Sequence, residues 1–195
     1  AGLDVQVPEL LTVPAEDGTP LQASLLKPKG FDPARRYPVI LAVYGGPGAP
    51  TVLDGWGGNV YFNQLLLKEG YIVASIDNRS ATAASRAHET SVARRLWSDG
   101  ELGDLLAGVR WLKGQPWVDP DRMGAMGWSW GGYAMMWLSG HEHRFKALAA
   151  MMGVYDLRSM YSSTEELWFP EWDLKGTPWQ NPEGYARQSP SSYAT

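Results

Sequence analysis

Gly127-Trp128-Ser129-Trp130-Gly131-Gly132 contains the pattern G-x-S-x-G, and the residues on both sides give the pattern a structural meaning. Residues 121–127 are predicted to form a strand, and residues 130–139 are predicted to form a helix. A sharp turn from strand to helix strains the backbone of the serine and exposes its hydroxyl at the helix N-terminus. The pattern therefore predicts Ser129 as a nucleophile, and the alternative is an ordinary glycine-rich turn.

Outward from this turn, buried strands and helices alternate along the chain. The capping box formed by Ser98 and Glu101 indicates the start of one helix, whose apolar residues recur on one face as far as Leu112. Such alternation favours an α/β fold with a mostly parallel sheet and helices on both faces. The predicted strands are 38–44, 71–76, 121–127 and 145–152, and the predicted helices are 59–69, 98–112 and 130–139.

The chain is expected to divide into a lead-in segment, residues 1–37, and a partial catalytic domain, residues 38–195. Within the lead-in, the turn signal Asp17-Gly18 separates two short strands at 10–14 and 21–27 and so predicts an edge hairpin. Beyond residue 154 the sequence predicts only loops and short helical pieces.

Composition excludes several classes of function. The chain has 195 residues, of which 44% are hydrophobic and 19% are charged, and this balance is typical of one globular domain. A net charge of -4 argues against nucleic-acid binding, and no apolar run is long enough for a membrane span. There are no cysteines, and His141-Glu142-His143 lacks a third ligand, so we expect no metal and no cofactor. Nothing in the sequence indicates a compartment.

Acyl transfer also needs hydrogen-bond donors for the oxyanion that forms on the attacked carbonyl. One expected donor is the backbone N–H of Trp130, which directly follows the nucleophile. The other is expected from the loop after the strand 38–44, where the Tyr44 hydroxyl precedes a run of glycines. The alternative for Tyr44 is an aromatic side chain that packs beside the core at the strand end.

Three motifs carry a resemblance to a known family. They are 43–48 (VYGGPG), 117–122 (WVDPDR) and 127–133 (GWSWGGY). Together they resemble the catalytic domain of the prolyl oligopeptidase family of serine peptidases, and the resemblance covers nearly the whole chain. The first two thirds are more similar to its dipeptidyl-peptidase-IV branch, whereas 153–172 is more similar to its acylaminoacyl-peptidase branch.

This resemblance implies an α/β-hydrolase fold with Ser129 as nucleophile, and with Tyr44 and the Trp130 amide as the oxyanion hole. It implies cleavage of short peptides, often after Pro or Ala, without a cofactor. It also implies that a β-propeller domain precedes this one in the full-length protein. Part of the aromatic stretch after residue 154 helps to form the substrate pocket in the family, which makes Tyr161 and Trp168 candidates for that pocket. The alternative is that these aromatics pack a loop onto the sheet or onto the propeller.

The chain departs from the family in two ways. Ser80 occupies the place where the motif around Asp77-Asn78-Arg79 usually has Gly. The triad of this fold runs Ser, Asp, His, and only one strand is predicted after Ser129. We therefore expect the fold to be incomplete at its C-terminal end, without the triad Asp and His, and the chain alone to be inactive. No catalytic role is expected for His88, His141, His143, Asp156 or Asp173.

Two alternatives to a peptidase stay open. An esterase or acylaminoacyl hydrolase on the same fold would use the same acyl-enzyme, because esters and amides pass through the same kind of intermediate. A non-catalytic interaction module that keeps the hydrolase shape is the second alternative, and it would lack the triad Asp and His in the full gene.

Overall fold

A six-stranded sheet forms the centre of the computed structural model, which describes residues 5–55, 57–82, 84–94, 99–141 and 145–194. The strand order is β1-β2-β4-β3-β5-β6. β1 and β2 form an antiparallel hairpin, β2 pairs antiparallel with β4, and the remaining neighbours are parallel. The strands are β1 (Glu9–Pro14), β2 (Pro20–Leu26), β3 (Tyr37–Val43), β4 (Ile72–Ile76), β5 (Val118–Trp128) and β6 (Ala147–Met151).

Helices connect the parallel strands and continue after the last one. The three helices predicted before residue 145 are confirmed as α1, α4 and α5, whereas two short helices after β4 were not predicted. The described helices are α1 (Val60–Lys68), α2 (Arg79–Thr82), α3 (Arg86–Thr90), α4 (Asp99–Lys113), α5 (Trp130–His141), α6 (Leu157–Ser163), α7 (Trp168–Asp173) and α8 (Pro182–Gln188), followed by a 3-10 helix at Pro190–Tyr193.

Only one of the two residues of the capping box predicted for α4 is described by the structure. Ser98 lies outside the described residues, so its capping role stays a prediction. Glu101 is fully buried in the first turn of α4 and accepts a hydrogen bond from Ser80. The apolar face predicted for this helix is confirmed, because its residues join the main core: Leu102, Leu105, Val109 and Leu112.

Parallel pairing brings the ends of β3, β5 and β6 to one edge of the sheet. Val43 at the end of β3 is in register with Gly127, and Met151 at the end of β6 is in register with Trp128. Tyr44, which follows Val43, and Ser129, which follows Trp128, therefore leave the sheet at the same edge. Such carboxyl ends are where open α/β sheets place their ligand sites.

The core lies between the sheet and the helices that pack on it. Val39 and Leu41 of β3 are fully buried, as expected of a strand in the middle of a parallel sheet. A second, smaller cluster of Leu157, Leu174 and Tyr185 holds together the helices after β6. Within the part of the chain that the structure describes, no helix is both long and apolar enough to cross a membrane.

Candidate active site

Ser129 lies at a sharp turn between β5 and α5. Its φ is 57°, a left-handed conformation that is costly for a residue other than glycine, and its side chain is exposed. The turn is tied on both sides, because the Ser129 N–H donates to the Met151 carbonyl (2.9 Å) and the Ser129 carbonyl accepts from the Tyr133 N–H (3.0 Å). The predicted strand-turn-helix geometry around this serine is therefore present.

Two glycines permit the close packing of this turn. A Cβ on Gly127 would overlap the backbone of Gly131, and a Cβ on Gly131 would overlap the carbonyl of Val43. Because backbone atoms cannot move aside as a flexible side chain can, any larger residue at either position would force α5 away from β3 and β5. The same packing brings the start of α5 against the end of β3, where Tyr44 follows.

Tyr44 lies over a glycine of its own loop. A Cβ on Gly46 would be 2.7 Å from the Tyr44 ring carbon Cε1, and a Cβ on Gly45, whose φ is +83°, would be 2.7 Å from the Trp130 ring. Both glycines thus leave room for the two aromatic side chains. The side chain of Tyr44 is half-buried, and Trp130 is buried.

A cavity of about 260 Å³ opens beside Ser129, and it brings the three predicted site residues together. Tyr44, Ser129 and Trp130 all line it, as do Gly46 and Pro47 of the loop after β3. The other lining residues come from the segment after β6. Phe169 belongs to the aromatic stretch that was expected there, whereas four others were not singled out from the sequence: Val154, Met160, Thr164 and Glu166. The cavity is thus largely apolar, with one carboxyl group among its lining residues.

Tyr161 and Trp168 do not line this cavity, although their immediate neighbours do. Consecutive residues of a helix point about 100° apart, so Met160 faces the cavity while Tyr161 faces away. The Tyr161 hydroxyl donates to Glu171 (2.6 Å), and this hydrogen bond is the main cause that raises its pKa. Trp168 is 71% exposed and packs edge-on against Phe169. A substrate contact by Tyr161 or Trp168 stays a prediction.

A polar cluster after β4 holds the loops behind the site. The Asp77 carboxylate is buried and accepts hydrogen bonds from the Thr51 N–H and hydroxyl and from the Val52 N–H. Arg79 bridges the buried carboxylate of Asp104 and the exposed carboxylate of Asp17. These bonds raise the pKa of Arg79, chiefly through Asp104, and hold the pKa of Asp17 well below its usual range, chiefly through Arg79.

Of the two histidines that the structure describes, His141 lies far from Ser129. His141 ends α5, stacks on Trp137 with ring centroids 3.8 Å apart, and contacts the Trp137 carbonyl through Nδ1. Twelve residues of helix place it about 18 Å along the axis from Ser129. His88 lies on the short helix α3, whereas His143 lies outside the described residues.

Asp156 has a structural role in the same region. Its carboxylate caps α6 by accepting from the Ser159 N–H (2.8 Å) and also accepts from the Ser191 hydroxyl (2.9 Å). These bonds lower the pKa of Asp156, and the hydrogen bond from the Ser159 N–H is the largest cause. Within the described ranges, no group of three or more His, Cys, Asp or Glu side chains is placed to hold a metal ion.

Two of the curated proteins that are similar to this chain carry the same name. Dipeptidyl-peptidase 5 of Schizosaccharomyces pombe is 31% identical over 98% of this chain, and dipeptidyl-peptidase 5 of Porphyromonas gingivalis is 33% identical over 92% of it. The chain spans 28% and 25% of the lengths of these two relatives. It therefore corresponds to about a quarter of such a protein.

Solved structures resemble the fold over nearly the whole chain. Dipeptidyl peptidase 4 of Porphyromonas gingivalis matches with a TM-score of 0.79 and 30% identity, covering 95% of this chain and 25% of that one. An acylaminoacyl peptidase of Pyrococcus horikoshii matches with a TM-score of 0.84 and 25% identity, covering 98% and 30%. These neighbours confirm the α/β-hydrolase fold.

One family description covers most of the chain. The Prolyl oligopeptidase family matches residues 59–195, a stretch that includes β4 to β6, the turn at Ser129 and the cavity wall after β6. The loop with Tyr44 lies before the matched residues but is covered by the alignments to the relatives. The chain belongs to the prolyl oligopeptidase family of serine peptidases.

Proposed function

We propose that Ser129 is the nucleophile with which the full-length enzyme hydrolyses short peptides through an acyl-enzyme. Here the full-length enzyme means a polypeptide that carries this chain together with a triad Asp and His. The observation that supports this most is the meeting of Ser129, Tyr44 and Trp130 at one cavity, with Ser129 exposed in a strained turn. Exposed strain at the end of a sheet is the arrangement that a nucleophile of this fold needs.

The chemistry follows from this placement. The Ser129 Oγ forms a bond to the substrate carbonyl carbon, and its proton passes to the triad histidine. The carbonyl oxygen becomes an oxyanion, which accepts hydrogen bonds from the Tyr44 hydroxyl and the Trp130 N–H. The carbon–nitrogen bond then breaks and the leaving amine takes the proton from the histidine. Water then attacks the carbonyl carbon of the ester and gives a proton to the histidine. The bond from that carbon to the Ser129 Oγ breaks, the Oγ takes the proton back, and the carboxylic acid product leaves.

The general base comes, on this proposal, from outside residues 1–195. His141 lies at the far end of α5, so it is not placed to accept the proton of Ser129. His88 lies on α3, and its Nδ1 is buried without a hydrogen-bond partner among the described residues, so this atom is not bonded to Ser129. For the same reason we expect the 195-residue chain alone to be inactive.

The cavity is proposed to take the side chain on the acyl side of the scissile bond. Its wall is mostly apolar, from Val154, Met160 and Phe169, which suits a small apolar residue such as Pro or Ala. The two curated relatives described above are named dipeptidyl-peptidase 5, and this supports release of dipeptides from a free N-terminus. A preceding β-propeller domain that limits substrate size is part of the same proposal.

An acylaminoacyl hydrolase is the second candidate. It is supported by the structural similarity to the Pyrococcus horikoshii acylaminoacyl peptidase, which covers 98% of the chain. This enzyme class differs in accepting a blocked N-terminus, whereas a dipeptidyl peptidase requires a free ammonium group. An esterase on the same scaffold would prefer a short acyl ester to either.

One comparison of substrates separates these candidates. We would measure kcat/KM of the full-length enzyme for Ala-Pro-4-nitroanilide, its N-acetyl derivative, N-acetyl-Ala-4-nitroanilide and 4-nitrophenyl acetate. For a dipeptidyl peptidase we expect kcat/KM for Ala-Pro-4-nitroanilide to exceed kcat/KM for its N-acetyl derivative by at least about tenfold. This is the effect of one charge-assisted hydrogen bond to the free ammonium group. A preference for N-acetyl-Ala-4-nitroanilide would support the acylaminoacyl hydrolase instead, and turnover of the ester alone would support the esterase.

A further inference from the structure

Asn78 links the loop after β4 to the loop that carries Tyr44. Its side-chain N–H donates to the Gly45 carbonyl (2.8 Å), and its Oδ1 accepts from the Ala81 N–H (2.9 Å). The two bonds use opposite ends of the amide, so they fix which end faces Gly45. Because Gly45 directly follows Tyr44, the position of Asn78 sets the backbone beside the proposed oxyanion donor.

Ser80 connects this amide to the helix behind it. Its Oγ lies 2.9 Å from Asn78 Oδ1 and 2.9 Å from Glu101 Oε1. The side chains of all three residues are buried, with Ser80 and Glu101 at 0% exposure. The Ser80 carbonyl also accepts from the Gly48 N–H (2.9 Å), so this residue contacts the Tyr44 loop through its backbone as well.

We propose that Ser80 is a positioning residue, which holds Asn78 against α4 and thereby sets the Tyr44-Gly45 backbone for oxyanion binding. The proposal rests on the proposed function, because it assigns Ser80 an effect only through Tyr44. The single proton of this buried hydroxyl can be shared between the two acceptor oxygens, and water cannot replace the hydroxyl there.

The hydrogen bonds that link Glu101, Ser80, Asn78 and Gly45 predict how kcat and KM respond when the Ser80 hydroxyl is removed. An oxyanion donor acts only if it is placed within a few tenths of an ångström, so a loosened loop weakens binding of the transition state more than binding of the substrate. Removal of the Ser80 hydroxyl should therefore lower kcat and leave KM nearly unchanged. It should have no effect once the Tyr44 hydroxyl is gone.

A double-mutant cycle in the full-length enzyme tests this. We would measure kcat and KM for 4-nitrophenyl acetate with Ser80→Ala, Tyr44→Phe and the double variant, because this ester reports acyl transfer without depending on peptide specificity. Ser80→Ala should lower kcat about 3–10-fold, the size of one hydrogen bond, and should lower it no further in the Tyr44→Phe background. Ser80→Gly removes the same hydroxyl and should give the same cycle, which covers the case that the alanine variant does not fold.

Ser189→Ala is the matched control. Ser189 is also buried, and its hydroxyl accepts from the Leu157 N–H and donates to the Tyr185 carbonyl. Any effect of this variant on kcat should be equal in both backgrounds. An unchanged kcat for Ser80→Ala, or an equal decrease in both backgrounds, would overturn the positioning role alone. An unchanged kcat for Tyr44→Phe would overturn the proposed oxyanion hole and the role of Ser80 with it.

Discussion

At the scale of single residues, the proposed site depends on two hydroxyl groups, each from a residue that directly follows a different strand. Ser129 follows β5 and Tyr44 follows β3, and the register of the two strands places them at the same edge of the sheet. A tyrosine hydroxyl is a neutral donor, so it stabilises the oxyanion without binding a neutral carbonyl strongly. Its contribution should therefore appear in the transition state.

The first prediction concerns Tyr44→Phe in the full-length enzyme. We expect kcat to fall about 10²–10³-fold with little change in KM, as found when one oxyanion donor is removed. Steady-state kinetics with a dipeptide anilide provide the measurement. Tyr193→Phe is the control, because its hydroxyl bonds to the Arg187 carbonyl and its ring packs on His141, at the other end of α5. Equal kcat for Tyr44→Phe and the unmodified enzyme would remove Tyr44 from the site.

The sequence pattern predicts the centre of the proposed site but not the residues of the cavity wall. The pattern predicts Ser129 because a tight turn from strand to helix requires glycine on both sides of the serine. In the structure, Gly127 and Gly131 both pack against backbone atoms. Aromatic content is the visible signal in the stretch after β6 and favours Tyr161, whereas nothing in the sequence singles out Met160. The side that faces the cavity depends on the helical phase of α6, and seven residues without an apolar period do not reveal it.

At the scale of elements, the strand-turn-helix unit works because β5, α5 and β3 pack backbone against backbone. Gly131 is the tightest point, since α5 meets the end of β3 there. The packing explains why the residue after β3 can reach the cavity beside Ser129. It also makes the unit sensitive to the addition of a single methyl group.

The second prediction concerns Gly131→Ala. We expect the variant to be destabilised by about 1–3 kcal/mol, because the added Cβ overlaps the Val43 carbonyl and the helix must shift. Thermal unfolding of the full-length enzyme, followed by scanning fluorimetry, measures the effect. Gly103→Ala is the control within α4, where a Cβ meets nothing within 4 Å. It should keep or raise Tm, since alanine favours a helix over glycine. A Gly131→Ala enzyme with unchanged Tm would contradict the packing account.

At the scale of the whole molecule, the order of elements was predictable and the order of strands was not. Apolar runs and helical periods predicted the alternation along the chain, which the structure confirms. The periodicity of a sequence does not show which strands pair with each other. Only the structure shows that β3 lies between β4 and β5. The short helices α2 and α3 were missed because four and five residues cannot show a helical period.

The far edge of the sheet bears on how the chain behaves alone. β6 pairs with β5 on one side, and four of its five residues are exposed, although all five are apolar. An exposed apolar strand edge favours self-association. The 195-residue chain should therefore be checked by size-exclusion chromatography before any activity is assigned to it.

The most direct test of the central claim is covalent labelling of Ser129 with a fluorophosphonate, followed by mass spectrometry of the labelled peptide. In the full-length enzyme we predict rapid labelling at Ser129 and none in Ser129→Ala. The monomeric 195-residue chain should react far more slowly, because a serine without its general base is a weak nucleophile. Rapid labelling of Ser129→Ala, or a label on another residue of the unmodified enzyme, would contradict the account.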